Sequence, residues 1–505
     1  MTPRIDEEVP VLVAGAGPAG LVAAATLAKH GVETLVVDTR PAPSRIPRAN
    51  AINMSAMELF RSWGLESEIR EGDVGVVPQA RLSRTLSDAA EGHSVEVGFP
   101  SREQSDVLGP APAAAVAQDH LEPILERHVA SSGVARVERG TSVVDVEMGV
   151  NDVVVTLADA RLGRQRRVRA KYLVGADGIR SSVRSALGIR SWSSGSLGER
   201  LAVLMRGPLW EVAGRDHRYT IYLTQQERED FFLPVGKPDR WVYGASWDFD
   251  AEPLETISHD RARALIRAAA GRQDLEIELE RVQRVTYEVA LAQRFREGRA
   301  FLVGDAAHRV TPRGGTGMNS AIRDGYDLAW KLAWVLKRWS GEQLLDSYEA
   351  ERRPVAEHNV RRSSDPTGTL RTAAEEVRTD LGGRIRHIWI AEGRSSLDLL
   401  GHGLTLLIGP NGEHWKVSAG RLAGGPPLDV EALEPMASRA LGVSDRGALL
   451  VRPDGVPVAL WSGQRDPGES LAREIAFMSG EAHGNARLHE RHGTLPSALR
   501  ARSRT

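Results

Sequence analysis

The segment from Val9 to Asp38 constrains this chain more than any other. Val9 to Ala14 is an apolar run that stops at Gly15-Ala16-Gly17-Pro18-Ala19-Gly20. The next residues, LVAAATLAKHG, read as helix, and ETLVVD reads as a second buried strand ending at Asp38. This places G-x-G-x-x-G between strand and helix, with an acid 18 residues after the last glycine. Gly15 permits the tight turn, Gly17 admits a pyrophosphate against the backbone, and Gly20 lets helix and strand pack closely. Asp38 can take ribose hydroxyls. The pattern points to a bound dinucleotide, without separating FAD from NAD.

A second stretch, RAFLVGDAAHRVTPRGGTGMN at 299–319, repeats the logic. AFLVG is a buried-strand run ending at Gly304-Asp305, and SAIRDGYDLAWKLAWVLKRW is helical. A strand that feeds a glycine-rich loop and then a helix builds an anion site, because the helix's free N–H groups and positive dipole end face the loop. Gly314, Gly315 and Gly317 would let a planar ligand lie against the backbone. A third stretch, KYLVGADGIRSSVRSALG, is a strand ending near Asp177, which can equally cap a turn, and a helix begins near Ser181.

Between these stretches, residues 190–290 change character. RYTIYLTQ and RWVYGASWDFD alternate as aromatic-rich strands, and HDRARALIRAAAG is a helix. Trp241, Tyr243 and Trp247 share parity, so one sheet face is aromatic: either core or the floor of an apolar pocket. The loop PAPSRIPRA carries Arg45 and Arg48 just after Arg40, AVAQDHLEPILERHV is a helix bearing Gln118, and the run 134–159 alternates like a β-meander. The pattern at 76–116 is weak. Asp327 to Trp339 is apolar almost all round and hence a buried helix, and SYEAERRPVAEHNV is helix broken at Pro354. From about Ser395 a small α/β unit follows: two helical segments in SSLDLLGHGLTLLIGPNGEHW, then a strand pair turning at Pro453-Asp454-Gly455.

Composition excludes several classes. The 505 residues hold no cysteine, which removes disulfides, thiolate metal sites, cysteine nucleophiles and dithiol redox chemistry together. With 65 basic against 67 acidic residues, no field favours nucleic acid. HERHG near the C-terminus lacks the HExxH zinc spacing, so no metal is expected. The N-terminal run has no signal-peptide pattern and no stretch is apolar enough to span a bilayer, so a cytoplasmic protein without a membrane partner is expected.

GAGPAG, ADGIRSSVR at 176–184 and GDAAHRVTPRGGTGMN at 304–319 together resemble the single-component FAD-dependent aromatic hydroxylases, the group of para-hydroxybenzoate, phenol and polyketide hydroxylases. DLLGHGLTLL followed by LLVRPDGVPVALW resembles the thioredoxin-like appendage of the phenol- and polyketide-hydroxylase branch. The resemblance implies an α/β fold: a Rossmann-like FAD-binding domain (1–188 and 291–394), an inserted α+β substrate domain with an antiparallel sheet (189–290), and a C-terminal thioredoxin-like domain (395–505). It further implies that Gly15, Gly17, Ala19, Gly20, Asp38, Arg40, Arg48, Gln118, Asp177, Gly304, Asp305, Pro312, Gly315, Gly317, Met318 and Asn319 contact FAD. Asp305 would meet the ribityl chain, and the Met318 and Asn319 amides the flavin N1–C2=O edge. Arg45, Pro312 and Arg313 would sit nearest the chemistry, with Arg313 standing where many relatives carry a small residue. Tyr222, Trp241 and Tyr243 would line the substrate pocket.

The activity implied is monooxygenation. NADPH or NADH reduces FAD, O₂ is captured as a flavin C4a-hydroperoxide, and one oxygen passes to an aromatic small molecule, phenolic or polyketide-like. The cofactor carries that chemistry while the protein orients it and excludes water. A Baeyer–Villiger or epoxidising enzyme of the same family, or a non-catalytic flavoprotein scaffold, stays open as an alternative, as does a homodimer.

Overall fold

The computed structural model describes residues 4–214, 218–225, 229–236, 239–422, 424–463 and 466–479. The HERHG segment lies outside the described residues. The first sheet has a parallel core in the order Ala300–Leu302, Arg164–Gly175, Glu7–Ala14, Thr34–Asp38, Ala135–Arg139. Thr34–Asp38 is buried along its whole length, as a parallel strand covered on both faces requires. Of the expected meander, Thr141–Met148 and Val153–Asp159 form a hairpin beside Arg164–Gly175, but Ala135–Arg139 joins the parallel core instead. Pro18–Lys29, buried from Pro18 to Ala28, packs between this sheet and the helix Gly317–Leu336. The two helices meet closely at Gly325, where a Cβ would come 2.3 Å from the Ala19 carbonyl oxygen.

The second sheet has seven strands in the order Glu278–Thr286, Glu199–Arg206, Arg240–Ser246, Glu229–Pro234, Tyr219–Gln225, Val77–Ser83, His93–Glu96. It corrects two expectations. Two of its strands come from 77–96, outside the 189–290 span, and Tyr219–Gln225 pairs Val77–Ser83 in parallel, so the sheet is mixed. Short polar strands such as His93–Glu96 carry little alternation, which hid this region from pattern reading. His259–Ala270 covers one face of the sheet, capped by Ser258 and ended by Gly271 in the left-handed region.

The helix Asp346–Ser364 runs through Pro354 without breaking, because Tyr348, Ala356 and Val360 are buried on either side of it. In the C-terminal unit, Leu404–Ile408 is a strand rather than helix, a five-residue apolar run that periodicity alone cannot assign. It is central in a mixed sheet ordered Leu428–Ala432, Leu404–Ile408, Ala448–Val451, Pro457–Trp461. Trp330 and Trp334 of the long helix pack into this unit against Leu404, Leu406, Trp415 and Trp461, while Leu328, Ala329 and Leu332 face the first core. The helix is apolar all round because it serves two cores. Its junction is tied by buried charge: Lys331 Nζ reaches Asp327 (2.8 Å) and Glu351 (3.0 Å), and Arg452 reaches Glu351 (2.7 Å) and Asp454 (2.5 Å).

Candidate active site

The first wall of the site is the glycine turn. Gly15 has φ +108°, and a Cβ there would lie 2.2 Å from the Ala176 carbonyl oxygen, so the turn tolerates only glycine. A Cβ on Gly20 would sit 1.9 Å from the Gly15 oxygen; Gly20 packs helix against turn and does not line the cavity. At Gly17 a Cβ would meet nothing within 4 Å and the residue faces the cavity, so there the space is left to a ligand. Asp38 also lines the cavity. Its carboxylate already takes four hydrogen bonds, from the Ala16 amide (2.7 Å), the Arg40 amide (2.8 Å), Arg40 Nε (3.1 Å) and Arg40 Nη2 (3.2 Å). Burial pushes this carboxyl up, but the hydrogen bonds from Arg40 and Ala16 outweigh it and hold the group below its ordinary value. Asp38 therefore locks the turn as well as facing the ligand space. Beside it Gln118 donates to Glu122 (2.7 Å), whose fully buried carboxylate also takes Arg40 Nη1 (3.3 Å) and the Ser44 amide (3.1 Å).

The second wall is the loop from Val303 to Met318. Gly304 turns with φ +58° against Ala19 and Ala321 without itself lining the cavity. Its amide donates to Asp324 (3.1 Å), which also meets His308 Nε2 (2.5 Å) and Arg352 Nε (2.7 Å). This clamp leaves Asp305 facing the cavity, where burial of the surroundings raises its carboxyl despite the nearby charges of His308, Arg309 and Arg48. Pro312, Arg313, Gly315, Gly317 and Met318 follow along the same wall. Asn319 lies behind it, donating to the Ala51 and Gly315 carbonyls and accepting the Asn53 amide (2.9 Å). Both Pro18–Lys29 and Gly317–Leu336 start without a side-chain cap and without an acid in the first turn, and both starts face this cavity. Their first N–H groups are free for a ligand. The buried Thr316 hydroxyl also has no hydrogen-bond partner among the described residues.

Asp177 lines the cavity between these walls, but it is also the turn residue its position suggested. It accepts from Ser181 Oγ (2.5 Å) and the Val183 amide (3.0 Å), and burial nevertheless raises its carboxyl. Arg48 lines the cavity, whereas Arg45 does not: it is exposed in the preceding loop, held there by its carbonyl, which accepts from Arg240 Nη2 (3.0 Å).

The third wall is the second sheet, and here parity corrects the expectation. Tyr222, Trp241 and Tyr243 are fully buried on the face covered by His259–Ala270 and do not line the cavity. Their neighbours Leu223, Phe231, Leu233 and Val242 do, with Ala202 and Leu204 beside them. Side chains alternate across a strand, so within Arg240–Ser246 the aromatic Trp241 and Tyr243 mark the covered face and Val242 between them faces the ligand space, just as Leu223 does beside the buried Tyr222. Arg200, Gln283 and Tyr287 on this wall, and the cavity residues Thr367 and Thr369, were missed, because no sequence period flags isolated polar residues.

The walls enclose one cavity of about 1030 Å³. A long anionic dinucleotide fits it: a glycine-only turn, ligand space at Gly17 and two uncapped helix starts lie along a single trough. Residues 8–363 match the FAD-binding domain family. The chain belongs to this family, the FAD-dependent aromatic hydroxylases.

The hydroxylase is 32% identical to tetracenomycin A2 monooxygenase-dioxygenase of Streptomyces glaucescens, over 95% of this chain and 99% of that protein. It is 33% identical to aklavinone 12-hydroxylase RdmE of Streptomyces purpurascens, over 89% of this chain and 95% of that one. Its fold superposes on aklavinone-11 hydroxylase, solved with FAD and aklavinone, with a TM-score of 0.85 and 30% identity, covering 94% of this chain and 100% of that one. The flavin-dependent monooxygenase PieE, solved with FAD and substrate, gives a TM-score of 0.84 at 25% identity, covering 95% and 100%. No helix among the described residues is long and apolar enough to cross a membrane.

Proposed function

We propose that this hydroxylase uses NADPH or NADH to insert oxygen into a multi-ring aromatic substrate of polyketide type. The observation that carries this reading is continuity: the trough of the glycine turn and the apolar face of the second sheet are parts of one cavity. The cavity runs on from the loop to a sheet face built from Leu223, Phe231, Leu233 and Val242, an apolar surface suited to an aromatic ring system.

In this reading Gly15, Gly17 and Ala19 seat the FAD pyrophosphate, and Asp38, Arg40, Arg48 and Gln118 its adenosine side. Asp305 binds the ribityl hydroxyls, and Pro312 to Met318 line the ring. When bound, FAD supplies hydride acceptance and the activation of dioxygen. The chain's part is to orient and to keep dry. The helix start at Gly317–Met318 offers N–H groups and a positive dipole end to negative charge developing on the ring. The apolar sheet face positions the substrate and excludes water. We read the C-terminal unit as a thioredoxin-like domain that can only pack or cover, since the chain has no cysteine.

The test is direct. The purified protein should be yellow with one releasable FAD. Polycyclic phenols should stimulate NADPH consumption and yield products heavier by one oxygen. A colourless protein that cannot be reconstituted with FAD refutes the reading.

A further inference from the structure

Resting on that reading, we propose that Arg200 and Arg313, gathered about the ring of Tyr287, form a subsite for an anionic oxygen on the aromatic substrate. The three residues come from separate elements. Arg200 is the second residue of the strand Glu199–Arg206, Tyr287 follows the strand Glu278–Thr286, and Arg313 belongs to the loop beneath the cofactor trough. The Arg200 guanidinium carbon lies 5.6 Å and that of Arg313 5.3 Å from the Tyr287 ring centre, and all three residues line the cavity.

Among the described residues the charge there is only weakly balanced. Arg200 is 84% buried at its side chain, being 16% exposed, and its only ion-pair partner among the described residues is Glu229 at 3.8 Å, a 78% exposed carboxylate. Its Nη1 is buried without a hydrogen bond among the described residues. Arg313 makes no ion pair among the described residues. Asp365, the acid that feels its charge, is engaged by Thr367 and Arg371. Arg281, on the same wall, adds positive charge, and Asp230 accepts from the Tyr243 hydroxyl. Two guanidinium groups held beside a mostly apolar wall, with one largely exposed carboxylate at 3.8 Å as their ion-pair partner among the described residues, leave a deficit that an anionic ligand corrects. The cluster joins the cofactor loop to the sheet face, so an oxygen bound there belongs to the part of the substrate nearest the cofactor ring. Electron-rich phenolate and an appended carboxylate share this chemistry.

The FAD-loaded protein is titrated with alizarin, whose phenol ionisation is read from its colour. Bound alizarin should ionise about one pH unit or more below the free dye. Arg200→Gln and Arg313→Gln should each reverse much of that shift, and Arg200→Lys and Arg313→Lys should keep most of it. If a carboxylate is the natural occupant, anthraquinone-2-carboxylate should instead bind about ten-fold or more tightly than anthraquinone, a preference lost in the Gln variants. The proposal is overturned if the wild-type protein holds FAD yet neither shifts the dye nor prefers the carboxylate, a result that needs no variant. It is equally overturned if FAD-loaded Gln variants behave as wild type. Failure to hold FAD at all would count against the hydroxylase reading itself, which separates the two.

Discussion

Asp324 Oδ2 lies 2.5 Å from His308 Nε2 and 3.1 Å from the Gly304 amide, so one buried carboxylate fixes the strand end and the first turn of the cofactor loop together. Burial would push this carboxyl up, but His308 and Arg352 overcome it and hold it down to about 2. A carboxyl depressed on folding contributes stability above its unfolded value, and that contribution is lost as pH falls from about 4 through about 2. Asp324→Ala should cost about 3–5 kcal/mol, since it leaves the buried Arg352 guanidinium uncompensated. Thermal melts at neutral pH measure the loss, and unchanged melting with full FAD retention would contradict the clamp.

Asp305 differs from Asp324 in having no hydrogen-bond or ion-pair partner among the described residues: its side chain faces the cavity. Asp305→Ala should therefore weaken FAD by about 10- to 100-fold, the worth of a charge-assisted hydrogen bond, with little change in the melting point of the apoprotein. Fluorescence titration of apoprotein with FAD reads this, and equal affinity would remove the ribityl assignment.

Much of this site was legible because glycines and strand ends carry positional meaning. Gly15, Gly20 and Gly304 stand where backbone approach or positive φ excludes other residues, and a single chain shows that pattern. The sheet wall was legible only to within one residue. Alternation revealed two faces of Arg240–Ser246, but which face meets a ligand depends on the helix His259–Ala270 arriving from later in the chain. Arg200 and Tyr287 stayed hidden for the same reason: their meeting is set by the Arg200–Val285 register between strands some 80 residues apart, which no local pattern encodes.

The C-terminal unit should be inseparable from the rest. Lys331 is fully buried between Asp327 and Glu351, and Arg452 ties the C-terminal sheet to the same Glu351. Asp327, Glu351 and Asp454 converge within 4.8 Å, the spacing of a cation site, but these two side chains supply the positive charge. Lys331→Met should destabilise by about 3–5 kcal/mol, because it strands paired carboxylates. Chain truncated before residue 395 should aggregate, with Trp330 and Trp334 uncovered. A soluble, FAD-loaded truncation would refute this.

Asp380 gives a pH dependence of opposite sign. It accepts from Asn53 and from Ser55 Oγ (2.7 Å), yet burial, helped by nearby Glu58 and only partly opposed by Ser55, raises it to about 6. The folded state thus keeps this proton when the unfolded chain has lost it, and stability contributed by the group falls as pH rises from about 4 to about 6. Asp380→Asn should raise stability at pH 8 by about 1–3 kcal/mol and leave it nearly unchanged at pH 4. Paired denaturant melts at the two pH values check the sign, and equal shifts at both would rule it out.

The sharpest test of the sheet wall uses adjacent residues. Trp241 is fully buried, packed on Trp210 at 4.5 Å between ring centres, while Val242 faces the cavity. Trp241→Ala should cost about 3–5 kcal/mol by opening a void in the core, and any loss of activity should follow the loss of folded protein. Val242→Phe adds bulk where there is open space, so the melting point should hold. What should change is the substrate: KM for a multi-ring phenol rises, FAD affinity stays, and NADPH consumption uncouples from oxygen transfer as the ring is displaced. Product mass and peroxide release measured side by side separate these outcomes. If Val242→Phe unfolds the protein while Trp241→Ala alters only substrate preference, the sheet faces the cavity with its aromatic side after all.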